Sequence, residues 1–281
     1  MLNIISEPLK TLAPLSGNIA NFKFGNITVA EIIRNCFRKY PDVTISVRDN
    51  FIPSPELTER LAGKMPVKIV SPFDNVVLAR NSEHAVMEIN PDENSFLIRY
   101  PWDLLSLNEH LLAEIGSDIR GIVKERVAID GIIQLGEGSV ILPGVYIEGN
   151  VIIGRNCKIG PNCYIRGNTS IGDFCHIGQA VEIKNSIIAD HVSIGHLSYA
   201  GDSIIASNVN FGAGTIISNL RHDGKNHTYI QNGCCIPTGR RKFGAVIGEN
   251  VHTGIHTSVY PGRTLSPNSS TLPGEIVKYS K

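Results

Sequence analysis

The feature that most constrains this chain is a period of six. Taking every sixth residue from Val123 gives Val123, Ile129, Leu135, Ile141, Ile147, Ile153, Ile159, Ile165, Ile171, Ile177 and Ile183, an unbroken aliphatic series. A six-residue apolar period fits neither an amphipathic helix nor an alternating strand; it fits short strands stacked in three-sided coils. The spacing therefore predicts a left-handed parallel β-helix. Glycine often follows the aliphatic residue, as in Ile153-Gly154 and Ile177-Gly178, where a larger side chain would clash. The fifth hexad position holds Cys157, Cys163, Thr169, Cys175 and Val181, so these cysteines read as small inward-packing residues and not as metal ligands.

The register shortens by one residue twice, from Ile183 to Ile188 and from Ala200 to Ile205. It breaks over 221–246 and resumes at Ile247, Thr253, Val259, Leu265 and Thr271. A break of this length in a regular scaffold points to a functional or disordered loop. Coils expose flat sides, so an oligomer is expected, as a homotrimer with sites between subunits.

Ahead of the coils the period disappears. Residues 1–100 read as a small α/β domain, with a helix-period stretch at Val29, Ile32, Ile33 and Phe37 followed by a strand in VTISV. A linking helix is expected over 101–116, starting near Asp103, stopped by Gly116 and anchored to a core by Trp102. The coils then occupy 117–281, with 221–246 inserted.

Composition limits the partners. The 281 residues carry 26 Lys+Arg and 26 Asp+Glu, so no overall field draws the chain to nucleic acid or an anionic membrane. Arg240, Arg241 and Lys242 form a local basic cluster of unassigned role. No apolar run approaches a membrane span and the N-terminus has no secretory pattern, so a cytoplasmic location is the default expectation. The six cysteines contain no CxxC pair, and the adjacent Cys234 and Cys235 read as reduced thiols.

Coils of this kind host several functions, so the motifs must choose. RGNTSIGDFCHIGQAVEIKNS (166–186), GHLSYAGD (195–202) and NVNFGAGTIISNL (208–220) occur in order. Together they resemble the acetyltransferase half of the bifunctional glucosamine-1-phosphate acetyltransferase/N-acetylglucosamine-1-phosphate uridylyltransferase family. NLRHDGK, TGRRKFGAVIGENVHTG and the earlier YPWDLLSLNEHLL are similar to its archaeal-type branch, the sugar-1-phosphate nucleotidylyltransferase/acetyltransferases.

That resemblance implies an acetyl-CoA-dependent N-acetyltransferase acting on an amino-sugar 1-phosphate, glucosamine 1-phosphate first, with galactosamine 1-phosphate or another amino sugar as the alternative. It implies that His196 is the general base and that Asn219 lies near the reacting amine. Arg166, Lys184, Tyr199, Asn210 and Lys225 would bind the sugar phosphate, and Ala213 would meet the acetyl thioester through its backbone. Ile255 falls on the coenzyme A path, where the family has a small residue, with Pro273 beyond it. No metal is required. The family's nucleotidylyltransferase half opens with a glycine-rich loop ending in arginine; residues 1–100 contain none, so uridylyl transfer is not expected and the front domain reads as a shrunken remnant.

Independently of the resemblance, Arg166 and Lys184 are one full coil apart and should lie above one another, as a phosphate clamp needs. Two readings of other classes stand beside this one. His191 and His196 share the five-residue spacing found in γ-class carbonic anhydrases, and a degenerate front domain is compatible with a non-catalytic scaffold subunit.

Overall fold

The computed structural model describes the whole chain apart from residues 8, 10, 11, 16, 17 and 232 and the side chain of residue 231. The chain divides into two compact units, the first formed mainly by Ile27–Asp103 and the second by Leu104–Lys281 with the short segment Phe24–Asn26.

The first unit holds a mixed five-stranded sheet. Ile45–Arg48 lies between the parallel Leu2–Ile5 and the antiparallel Val77–Arg80, with Val67–Val70 and Met87–Ile89 beyond. The stretch of helical period is a helix, Val29–Cys36, burying Val29, Ile32 and Ile33. Thr28 and Glu31 close a reciprocal capping box at its start. The linking helix runs Pro101–Ala113 and ends three residues before Gly116, shorter than the 101–116 expectation. Asp103 Oδ2 accepts from the Arg99 and Tyr100 backbone amides at 2.8 Å, so the acidic residue does sit at the helix start. Trp102 is buried and stacks on Tyr100 at 4.6 Å.

The second unit is the left-handed parallel β-helix that the six-residue period demands. Successive hexads occupy successive sides. One ladder stacks Ile119, Leu135, Ile153, Ile171, Ile188, Ile205, Ile247 and Leu265. The next stacks Val123, Ile141, Ile159, Ile177, Ile194 and Phe211. The third stacks Ile129, Ile147, Ile165, Ile183, Ala200, Ile217, Val259 and Val277. Nearly all of these line one continuous core together with Cys157, Cys163 and Cys175, whose thiols are free and buried. Burial pushes the Cys163 thiol up to about 11. Val123 departs from the inward expectation: it belongs to the open first coil and is 37% exposed.

Two features were not read from the sequence. First, the outward residues of the first ladder are buried as well: Ile152, Ser170, Ile187, Ile204 and Val246 are all 3% exposed or less. On this side the segment around Gly25 meets Ile152, and the linking helix is held where Asn108 donates to the Asn168 carbonyl and Asn150 to the Leu112 carbonyl, each at 2.8 Å. Burying an aliphatic side chain of this size contributes about 2 kcal/mol. Second, the shortened corners, Ile183 to Ile188 and Ala200 to Ile205, carry Asn185 and Asp202 in the left-handed region at φ 48° and 50°. The corresponding corners of the longer preceding coils use Gly149 and Gly167. Short polar side chains tolerate that conformation because they can hydrogen-bond locally.

The 221–246 insertion contains a two-stranded hairpin. Thr228–Gln231 pairs antiparallel with Cys234–Pro237, and His227, Tyr229 and Phe243 are buried. Coils resume at Ala245–Ile247.

Candidate functional site

Arg166 and Lys184 are direct register partners on the third side, and Gly201 follows Lys184 on the next coil. The stacking expected from their spacing is therefore present. Both cations also have internal carboxylates. Arg166 pairs with Glu182 at 2.8 Å and Lys184 with Asp202 at 3.0 Å. The second pair is the more enclosed, at 14% and 4% side-chain exposure. A lysine holding one carboxylate still has two donors free for a phosphate.

Asp202 is the hub of this side. Its Oδ2 accepts from Lys184 and from Asn219 Nδ2 at 2.5 Å, and its Oδ1 accepts from Asn185 Nδ2 at 3.0 Å. Asn219 Nδ2 also donates to the Tyr199 hydroxyl at 3.1 Å. Burial raises the Tyr199 phenol, with Glu182 and Asp202 adding to the shift, so it stays protonated at neutral pH. Gly201 lies directly beneath that pair: a Cβ there would sit 2.3 Å from the Tyr199 oxygen and 2.6 Å from Asn219 Nδ2. Below the asparagine, the buried His227 ring contacts the Asn219 carbonyl at 3.1 Å, and burial lowers its pKa.

Asn185 continues the network outward. Its amide bridges Asp202 and Glu109 of the linking helix, and Glu109 forms an ion pair with Arg240. Arg240 thus has a defined place, while Arg241 and Lys242 are exposed. Neither Glu109 nor Asp202 was singled out from the sequence. The only available signals were an acidic residue in the helix and the last letter of GHLSYAGD.

His196 ends the strand Ser193–His196 at the corner between the second and third sides. Its ring is exposed and has no hydrogen bond or ion pair among the described residues. The backbone stacks directly above it: Gly214 N–H donates to the His196 carbonyl, His256 N–H to Ala213 and Gly274 N–H to Ile255. His196, Ala213 and Ile255 therefore form one vertical edge, each a coil above the last, with Ile255 51% exposed.

The glycines beside this edge differ in a useful way. A Cβ on Gly178 would lie 1.9 Å from the Gly195 carbonyl oxygen, and one on Gly212 would lie 2.6 Å from Gly254, so both are required for coil approach. Gly195 meets nothing within 4 Å, leaving open space next to His196.

The remaining candidates lie apart. Asn210 is exposed on the second side, stacked between Ser193 and His252. Lys225 is exposed in the insertion; its backbone amide donates to Asp223, and no contact among the described residues joins it to Asp202. His191 is at the opposite corner of the second side from His196, stacked on Phe174 at 4.9 Å. Among the described residues no group of three His, Cys, Asp or Glu could hold a metal ion. Nor is any helix among them long and apolar enough to cross a membrane.

The coil and its edge define a hexapeptide-repeat β-helix protein. Within that class, residues 147–271 match the GMPPB C-terminal domain model. Over 196 residues the chain is 41% identical to the bifunctional sugar-1-phosphate nucleotidylyltransferase/acetyltransferase of Sulfurisphaera tokodaii, covering 69% of this chain and 49% of that protein. Over 192 residues it is 51% identical to the bifunctional protein GlmU of Methanococcus maripaludis strain C7, covering 68% and 46%. The chain spans about half the length of the curated relatives it matches. Among solved structures, an N-acyltransferase from Bacillus cereus in complex with dTDP and coenzyme A is 14% identical at a TM-score of 0.25, covering 58% of this chain and 85% of that one. The coils are thus homologous to the acetyltransferase half of the bifunctional GlmU and sugar-1-phosphate nucleotidylyltransferase/acetyltransferase proteins.

Proposed function

We propose that the coils catalyse N-acetylation of an amino-sugar 1-phosphate by acetyl-CoA, with glucosamine 1-phosphate as the first substrate to test. The observation that carries this reading is the edge formed by His196, Ala213 and Ile255, one side away from the Arg166–Lys184 register. An acyl donor laid along that edge would pass the open space at Gly195, where a glycine is not needed for packing. A sugar phosphate held by the two cations of a neighbouring subunit would present its amine toward the same corner.

The chemistry is direct transfer. The amine lone pair attacks the thioester carbonyl, a C–N bond forms, and the oxyanion collapses with loss of the coenzyme A thiolate. His196 takes the proton released by the nitrogen and passes it to the leaving sulfur. Imidazole suits this exchange because it titrates close to neutrality. The Ala213 backbone N–H is the donor for the developing oxyanion. Tyr199, Asn210 and Lys225 are assigned to the sugar phosphate, with Asn219 beside the amine. His196 and Lys184 lie at opposite ends of the third side, so a homotrimer with sites completed between subunits is part of the proposal.

The deciding experiment incubates the protein with acetyl-CoA and a panel of amino-sugar 1-phosphates and follows free thiol release. Glucosamine 1-phosphate is expected to be turned over fastest. Galactosamine 1-phosphate turned over faster would reassign the sugar, and no thiol release with any amine would refute acetyl transfer.

A further inference from the structure

Four charged groups and two amides form one connected set at the Lys184 end: Arg240 with Glu109, Glu109 with Asn185, Asn185 with Asp202, and Asp202 with both Lys184 and Asn219. Two carboxylates are each balanced by one cation and are bridged by a single amide. Its position matters for the asparagine at its end. An ionised carboxylate only accepts hydrogen bonds, so the nitrogen of the Asn219 amide must face Asp202. Its second N–H goes to the Tyr199 oxygen. Both donors are consumed, and Oδ1 is turned away from Asp202 with no donor to it among the described residues.

We infer that Asp202 is a positioning residue that fixes the amide of Asn219 with its carbonyl oxygen toward the substrate, so that the site offers the amino sugar an acceptor and not a donor. This rests on the reading of Asn219 as the residue beside the amine. An acceptor there takes one N–H of the neutral amine and aligns the nitrogen lone pair with the thioester. A flipped amide would offer N–H to that lone pair and quench the nucleophile. Because Tyr199 accepts from Asn219, its own hydroxyl proton remains free for the sugar phosphate. Asn185, Glu109 and Arg240 hold the carboxylate from behind, each with at least one partner in the set.

The test measures steady-state thiol release for wild type, N219A, D202N and the exchanged pair D202N/N219D, with glucosamine 1-phosphate and acetyl-CoA each varied in turn. Replacing the carboxylate by an amide removes what distinguishes the two ends of Asn219. D202N is expected to lower kcat by about tenfold or more, the scale of a misplaced reacting group, while KM for acetyl-CoA stays unchanged. The exchanged pair restores a carboxylate facing an amide, now with the acceptor at 219, and is expected to turn over about tenfold faster than N219A. Should D202N fail to fold, the exchanged pair decides alone.

D202N with wild-type kcat, or an exchanged pair no faster than N219A, overturns the inference while leaving acetyl transfer standing. N219A with wild-type turnover overturns both this inference and the placement of Asn219 beside the amine.

Discussion

Replacing Gly201 by alanine should separate a packing requirement from a catalytic one. The new Cβ would lie 2.3 Å from the Tyr199 oxygen and 2.6 Å from Asn219 Nδ2, so one or both side chains must move by about an ångström. The backbone at Gly201 is in an ordinary extended strand, so alanine adds no dihedral strain of its own. Overpacking costs about 1–3 kcal/mol. Losing the 3.1 Å Tyr199–Asn219 hydrogen bond adds about 1 kcal/mol. A destabilisation of roughly 2–4 kcal/mol, or a Tm lowered on the order of 5–10 °C, is expected in a thermal melt. The matched control is G195A, where the added methyl meets nothing within 4 Å. That variant should melt within about 0.5 kcal/mol of wild type. If the acyl donor passes Gly195, its KM for acetyl-CoA should nonetheless rise. A G201A protein that melts with wild type, or a G195A protein that is the less stable of the two, would refute the steric argument.

Other outcomes follow from the same geometry. H196A should fold and assemble normally while turnover falls by about 10² or more; near-wild-type turnover would remove His196 as the base. K184M leaves Asp202 without its cation and should cost about 3 kcal/mol in urea unfolding, together with a raised KM for the sugar phosphate. An unchanged KM would take Lys184 out of the clamp. The pKa of His227 is lowered by burial, so between its folded value and the ordinary imidazole range the unfolded chain binds the extra proton. Stability should therefore rise with pH through that window and be lost as pH falls below about 6.5, and H227Q should flatten the slope. A slope the same in both proteins would show that other groups dominate. Incubation with UTP and N-acetylglucosamine 1-phosphate should release no pyrophosphate; release would show that residues 1–100 retain a transferase site.

The coil was legible because its period is covalent: each hexad spans one side, so residues six apart in sequence face the same core. The stacking of Arg166 under Lys184 was legible for the same reason, since eighteen residues return the chain to the same side. The covered side was also written in the sequence, as the doublets Ile152-Ile153, Ile187-Ile188, Ile204-Ile205 and Val246-Ile247. Reading every sixth residue passes over the outward partner in each. Glu109 and Arg240 are different. They lie 131 positions apart and meet only because a helix and an insertion close over the same coils. Nothing periodic links them. Asp202 is intermediate: it closes a quoted motif, but its contacts come from Lys184 and Asn185 on the coil before and Asn219 on the coil after.

The covered side has a further consequence. A β-helix is in principle extensible, since adding or removing a whole coil leaves every ladder in register. Here the linking helix acts as a gauge. Asn108, Glu109 and Leu112 meet fixed rungs at Asn168, Asn185 and Asn150, so a coil lost between those rungs would displace the helix contacts by a full step. Length variation in relatives of this chain should therefore gather at the coils past Ile247, where no such gauge reaches.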